Sequence, residues 1–270
     1  LFKIQNLKSK IVMTQVPDIN QLFQSAQSEG LLSNNSLQAL NVFDIGAQIQ
    51  AGLGIDVDDV MASEVVLVTI MPDDSSSIDY GGNAAVVRAG HNTIIDALVN
   101  CNQKDSILVH NRYLNGSVLY PYCPVTQAVR MDGKNYNPKQ GTPLYDQTVV
   151  LLGTVLAKAQ EFADNGVPVR TVTLIITDGA DMHSRTAKAK TVRSLVDDML
   201  QAENHIVAGM GIDDGGQTDF RQVFQEMGIR DEWILTPGNS QKEIRQAFQV
   251  FSQSAVQISQ STSLGGFGTT

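Results

Sequence analysis

The chain has 270 residues, with 28 acidic and 19 basic side chains and a formal charge of −9. That length suits one large domain with an appendage, and it can bury a core without covalent staples. Two cysteines cannot build a disulfide framework, and an acidic chain does not replace the counterions of a phosphate backbone, so small secreted scaffolds and sequence-independent nucleic-acid binding are excluded.

No apolar run approaches the ~20 residues of a membrane-spanning helix. The basic stretch at 3–10 is not followed by a long apolar region and a small-residue cleavage site, so no signal peptide is expected. Met13 is a candidate natural start, and a cytoplasmic location with reduced thiols is expected.

Residues 1–60 are rich in Gln, Asn and Ser and read as an N-terminal helical extension. Pro17-Asp18 marks a helix start, with Leu22, Phe23 and Ala26 at helical spacing. A second helix is predicted from Ser36 through Leu37, Leu40, Ile45 and Ile49, ended by Gly52 and Gly54.

The pattern then changes to strands alternating with helices over 61–261. Residues 64–71 are a β-branched run expected to be buried on both faces. Residues 84–99 form a helix with Val87, Ile94, Ile95 and Leu98 on one stripe. Residues 106–114 and 118–121 form a hairpin across the two-residue turn Asn115-Gly116. A polar loop at 131–140 precedes a long helix at 144–163. A second buried strand covers 171–177. Helix 186–202, strand 206–212, helix 220–227, strand 233–236 and helix 244–258 follow, and 262–270 reads as a flexible tail. This order predicts an α/β fold, a doubly wound, mostly parallel six-stranded sheet with one antiparallel edge strand and helices on both faces.

Ligands of such sheets bind at the carboxyl ends of the strands. There the chain places Asp73-Asp74-Ser75-Ser76-Ser77, Gly141-Thr142-Pro143 and Asp178-Gly179, which would meet if the two buried strands are neighbours. Carboxylate, hydroxyl and water oxygens are hard ligands that suit Mg²⁺, Mn²⁺ or Ca²⁺, and the lack of Cys and His argues against zinc. In an extended loop, Asp73-x-Ser75-x-Ser77 would point three side chains one way. Neutral hydroxyl ligands leave a cation under-neutralised, so a partner's carboxylate would complete its shell.

Asp73-x-Ser75-x-Ser77, Thr142 and Asp178 within Ile175-Ile176-Thr177-Asp178-Gly179 resemble the metal-ion-dependent adhesion site of a von Willebrand factor A domain. The resemblance runs over roughly residues 63–261. It implies that Ser75, Ser77 and Thr142 contact a divalent ion, most simply Mg²⁺, and that Asp73 and Asp178 act mainly through bound waters. It also implies strand order 3-2-1-4-5-6 with the third strand antiparallel. The C-terminal helix is similar to the ends of bacterial stand-alone members, including those linked to tellurium resistance. The chain departs from the family pattern at Ser76, where Gly is frequent. It also departs at Asp74, which either bonds locally or raises cation affinity.

Several residues near these loops have plainer readings. Asp79 and Asp181 read as solvated or capping carboxylates, His183 as an exposed loop histidine, and His91 as a packed one. Tyr136 and Tyr145 either line the ligand surface or pack. Gly209-Met210-Gly211 lacks the third glycine of a dinucleotide loop.

The expected function is a non-enzymatic, metal-dependent protein-interaction module acting as a scaffold or adaptor. Its partner is a protein offering an Asp or Glu carboxylate. The alternatives are a Mg²⁺-dependent phosphohydrolase with Asp73 as nucleophile and a structural subunit whose metal only stabilises it.

Overall fold

The computed structural model describes residues 18–42, 45–213, 215–216, 218–260 and 266–267. The candidate start at Met13 and the signal-peptide reading fall outside them. In β1 (Val65–Pro72) all eight side chains are buried, which requires cover on both faces. β4 (Val169–Thr177) lies parallel beside it, from Val65 opposite Val169 to Pro72 opposite Ile176. β2 (Ile107–Arg112) flanks β1 on the other side. Beyond β4 come β5 (His205–Gly211) and the short β6 (Ile234–Leu235). β3 (Val118–Pro124) pairs antiparallel with β2 and forms the opposite edge. The strand order β3-β2-β1-β4-β5-β6 is the predicted one.

The hairpin differs from expectation. Tyr113 N–H donates to Ser117 at 2.8 Å, so the turn holds Leu114, Asn115 and Gly116 rather than two residues. Leu114 N–H is drawn away to the carbonyl of Pro72 at the end of β1 (3.2 Å), which ties the turn to the first strand.

α5 (Ala84–Val99) and α9 (Gln241–Gln260) pack against each other through Gly90, where an added Cβ would come within 2.2 Å of the Phe248 ring. A second layer holds α6 (Leu144–Asp164), against β1 and β4, and α7 (Ala189–Gln201), against β5. The glycines at 209 and 211 make room for Phe224 and Phe220 of α8 (Phe220–Glu226), which rest where Cβ atoms would be.

The extension contains α1 (Ile19–Ser28), α2 (Asn34–Val42) and α3 (Gly46–Leu53), so the predicted second helix is two helices. The physical reason lies at Gly153 of α6. An added Cβ there would be 2.9 Å from both Leu40 and Ile49. In one continuous helix those residues would stand about 13 Å apart along the axis. Leu22, Phe23, Leu40, Ile49 and Leu53 join the same hydrophobic core as the sheet. Two buried cations also hold the extension: Arg112 donates to the carbonyl of Gln48, and Lys158 donates to that of Ile55.

Part of the expected flexible tail is held. Phe267 N–H donates to Glu232 O at 2.9 Å, and its ring meets Trp233 edge-on at 4.9 Å and approaches Phe251. A Gly-rich composition hid this one aromatic anchor.

Candidate metal centre

Because β1 and β4 are neighbours, the residues that follow them emerge side by side. Asp73 N–H donates to Ile176 O at 2.9 Å, and Thr177 Oγ1 donates to Asp73 Oδ2 at 2.8 Å. Ser75 N–H donates to Asp73 Oδ1 at 2.7 Å. The chain then turns into the short helix α4 (Ser76–Tyr80), with Ser75 as its extended N-cap residue. The expected extended alternation of Asp73, Ser75 and Ser77 is therefore not what aligns them. The turn into α4 brings Ser75 Oγ and Ser77 Oγ to 2.8 Å, and Ser77 Oγ donates to Asp178 Oδ1 at 2.6 Å.

Thr142 arrives from the loop before α6. The Cβ position of Gly179 lies 3.9 Å from Thr142 Oγ1, so this hydroxyl stands against the Asp178 loop. All five sequence-predicted residues thus gather at the carboxyl ends of the central strands β1 and β4, and all except the half-buried Ser77 are buried.

Other residues brace the loops. Tyr136, expected either to line a ligand surface or to pack, is buried and donates its hydroxyl to the carbonyl of Asp73. Asp74 is buried and accepts the N–H of Asn115 from the β2–β3 turn at 2.9 Å, while its carbonyl accepts Lys139 and Gln140 N–H. Asp79 is exposed.

The start of α6 is capped from outside. Pro143 has no side chain able to cap it, so the first N–H groups need other partners. Asp181 Oδ1 accepts Tyr145 N–H at 3.3 Å, and Ser184 Oγ accepts Asp146 N–H at 2.9 Å. In return the Asp146 carboxylate accepts the N–H groups of Arg185, Thr186 and Ala187 at 2.7, 3.2 and 2.6 Å. Asp181 is therefore a capping carboxylate, but for a helix 36 residues upstream. His183 is exposed as expected, yet it has a partner: its Nδ1 accepts Thr142 N–H at 2.9 Å. The local signal for these residues was a loop rich in capping side chains. What they cap was not readable.

The site is electrostatically loaded. Burial pushes Asp73 above the usual carboxylate range, against hydrogen bonds from Ser75 and Thr177. Burial, with a contribution from the charge of Asp73, pushes Asp74 up to about 7 despite the Asn115 N–H. Burial and then the charges of Asp73, Asp74 and Asp178 raise the Tyr136 hydroxyl well above its ordinary value. Neither Asp73 nor Asp74 has an ion-pair partner among the described residues. Buried negative charge without a counter-charge is costly, and a divalent cation would offset it. Among the described residues no group of three or more His, Cys, Asp or Glu is placed to hold a metal, so a cation here would depend on the hydroxyls. The donor set fits a hard divalent ion.

No protein-family model matches the sequence, and no curated protein matches it. Solved structures do. The von Willebrand factor domain of the type V pili tip protein Mfa5 from Porphyromonas gingivalis aligns over 76% of this chain and 99% of its own, with TM-score 0.53 and 10% identity. The fold is that of a von Willebrand factor A domain. The pilus adhesin SpaC from Lactobacillus rhamnosus GG aligns over 73% of this chain with TM-score 0.51 and 14% identity. Proximal thread matrix protein 1 from the mussel byssus aligns over 72% with TM-score 0.51 and 14% identity. The aligned part spans only 30% of the adhesin and 46% of the byssus protein. No helix among the described residues is long and apolar enough to cross a membrane.

Proposed function

We propose that this von Willebrand factor A fold, residues 61–261, is a metal-dependent protein-interaction module. Ser75, Ser77 and Thr142 hold a divalent ion directly, most simply Mg²⁺, and Asp73 and Asp178 hold it through water. The ion supplies a positive centre that a partner's Asp or Glu carboxylate completes. The observation that carries this reading is the Ser75–Ser77–Asp178 hydrogen-bonded chain beside the buried Asp73. The similar structures include a pilus tip protein, a pilus adhesin and a thread matrix protein, which supports a contact role. Tyr80 and Met182 are 89% and 78% exposed, close in sequence to Ser77 and Asp178, and would offer apolar contact beside the carboxylate. The free thiols of Cys101 and Cys123 are compatible with a cytoplasmic setting.

A phosphohydrolase is the weaker reading. Burial pushes Asp73 toward its protonated form, which is not a nucleophile, and Ser75 rather than a second carboxylate stands two residues on.

Calorimetric titration of the whole chain with Mn²⁺ and Mg²⁺ tests the proposal, alongside Asp73→Ala and an affinity column eluted with chelator. Saturable binding lost in Asp73→Ala, with bound proteins released by chelation, is expected. Absence of metal binding by the unaltered chain would overturn it. Turnover of a phosphate ester that is lost in Asp73→Asn would favour the enzyme instead.

A further inference from the structure

The geometry points to His183 as the residue that positions Thr142 for the cation. This inference rests on the metal reading above. Of the three direct ligands, Ser75 and Ser77 share one short segment, whereas Thr142 comes from a separate loop and needs its own support. Both of its backbone polar groups go to the segment after Asp178. Thr142 N–H donates to His183 Nδ1 at 2.9 Å, and Thr142 O accepts Met182 and His183 N–H at 3.1 and 3.2 Å. His183 therefore engages both backbone polar groups of the ligand, with Met182 sharing the carbonyl.

One side of the exposed imidazole is backed by the chain. A Cβ at Gly141 would lie 2.8 Å from His183 Nδ1 and 3.0 Å from Cε1, so the backbone before Thr142 runs flush against the ring. Since Nδ1 accepts from Thr142, its lone pair is not offered to the metal. The clasp of Asp181 and Ser184 onto the start of α6 holds the two loops as one body around this contact. His183 is thus a positioning residue, acting through Thr142.

The test uses the whole chain, with Mn²⁺ calorimetry and with amide hydrogen exchange of the metal-free protein followed by NMR at Thr142. In His183→Ala, Mn²⁺ affinity should fall roughly 10-fold, the usual scale for losing an outer-shell partner, and the Thr142 amide should lose protection. His183→Asn should recover most of both, because the Asn oxygen can accept where Nδ1 does. Gly141→Ala should displace the ring and behave like His183→Ala. The inference is overturned if His183→Ala keeps wild-type affinity and a protected Thr142 amide, or if His183→Asn is as weak as His183→Ala. Failure of the unaltered chain to bind Mn²⁺ would sink the metal reading separately, and the amide arm would still decide whether His183 holds Thr142.

Discussion

Ser77 Oγ stands 2.6 Å from Asp178 Oδ1 across 101 residues of sequence, and this contact joins the loops that follow β1 and β4. A hydroxyl donating to a buried carboxylate is a sound resting arrangement for a pair that would share a cation. It links metal binding to stability, since a ligand that binds only the folded state adds RT ln(1 + [L]/Kd). At 100 times Kd that is about 2.7 kcal/mol. The melting temperature should therefore rise with Mg²⁺ in the unaltered chain and stay flat in Ser77→Ala and Asp73→Ala. A parallel rise in all three would place the effective metal elsewhere.

The buried pair of Lys158 and Glu161, 2.9 Å apart, anchors the N-terminal extension, because Lys158 also donates to the carbonyl of Ile55. Burial pulls the lysine down and pushes the glutamate up, each opposed by the partner's charge. Lys158→Ala strands a buried carboxylate and should cost about 3–5 kcal/mol. Replacing both partners by apolar residues of similar volume, Lys158→Met with Glu161→Leu, should cost less. Urea unfolding of the single and double variants measures the difference. Deleting residues 1–60 should fail to give a folded chain, since Arg112 and Lys158 would both lose their carbonyl acceptors.

Burial pushes His91 and His205 down to about 4 and His110 to about 3, the last with help from the charge of Arg112. The unfolded chain takes up these protons near pH 6.5. Their contribution is therefore full above that value and is lost as pH falls toward 4, by about 1.4 kcal/mol per unit for each histidine. Asp74, pushed up to about 7, works the other way: its contribution is present at low pH and lost as pH rises through 7. In Asp74→Asn, which removes one opposing carboxylate and leaves the raised Asp73 and Glu161, the urea midpoint should fall more between pH 7 and pH 5 than in the unaltered chain. An unchanged midpoint would mean that the imidazoles take their protons within the fold.

Trp233 is the sole tryptophan and meets Phe267 edge-on at 4.9 Å. Phe267→Ala should shift its fluorescence to longer wavelength and lower stability by about 1 kcal/mol, the usual scale of an aromatic pair. An unchanged spectrum would show that the Phe267 ring does not cover the indole in solution.

The strands and most helices were legible because burial leaves a local mark. Residues 65–72 and 169–177 are β-branched runs, and α5 shows its apolar stripe. The break between α2 and α3 was not legible, because it is set by Leu40 and Ile49 converging on Gly153, more than a hundred residues downstream. The candidate ligands were readable as a motif, but their alignment was misattributed to an extended loop when α4 produces it. His183 looked like any exposed histidine, since its value lies in an acceptor nitrogen facing a backbone N–H 41 residues away.

By itself, the amino-acid sequence determined the alternation of buried strands with helices and the candidate oxygen donors at two strand ends. Hydrophobic periodicity and short motifs are local properties that each segment carries alone. Only the tertiary structure decided how Thr142 is held, which carbonyls the buried Arg112 and Lys158 reach, and that Phe267 meets Trp233. These are single hydrogen bonds and ring contacts between residues distant in the chain. They exist only once the sheet has brought their loops and helices together.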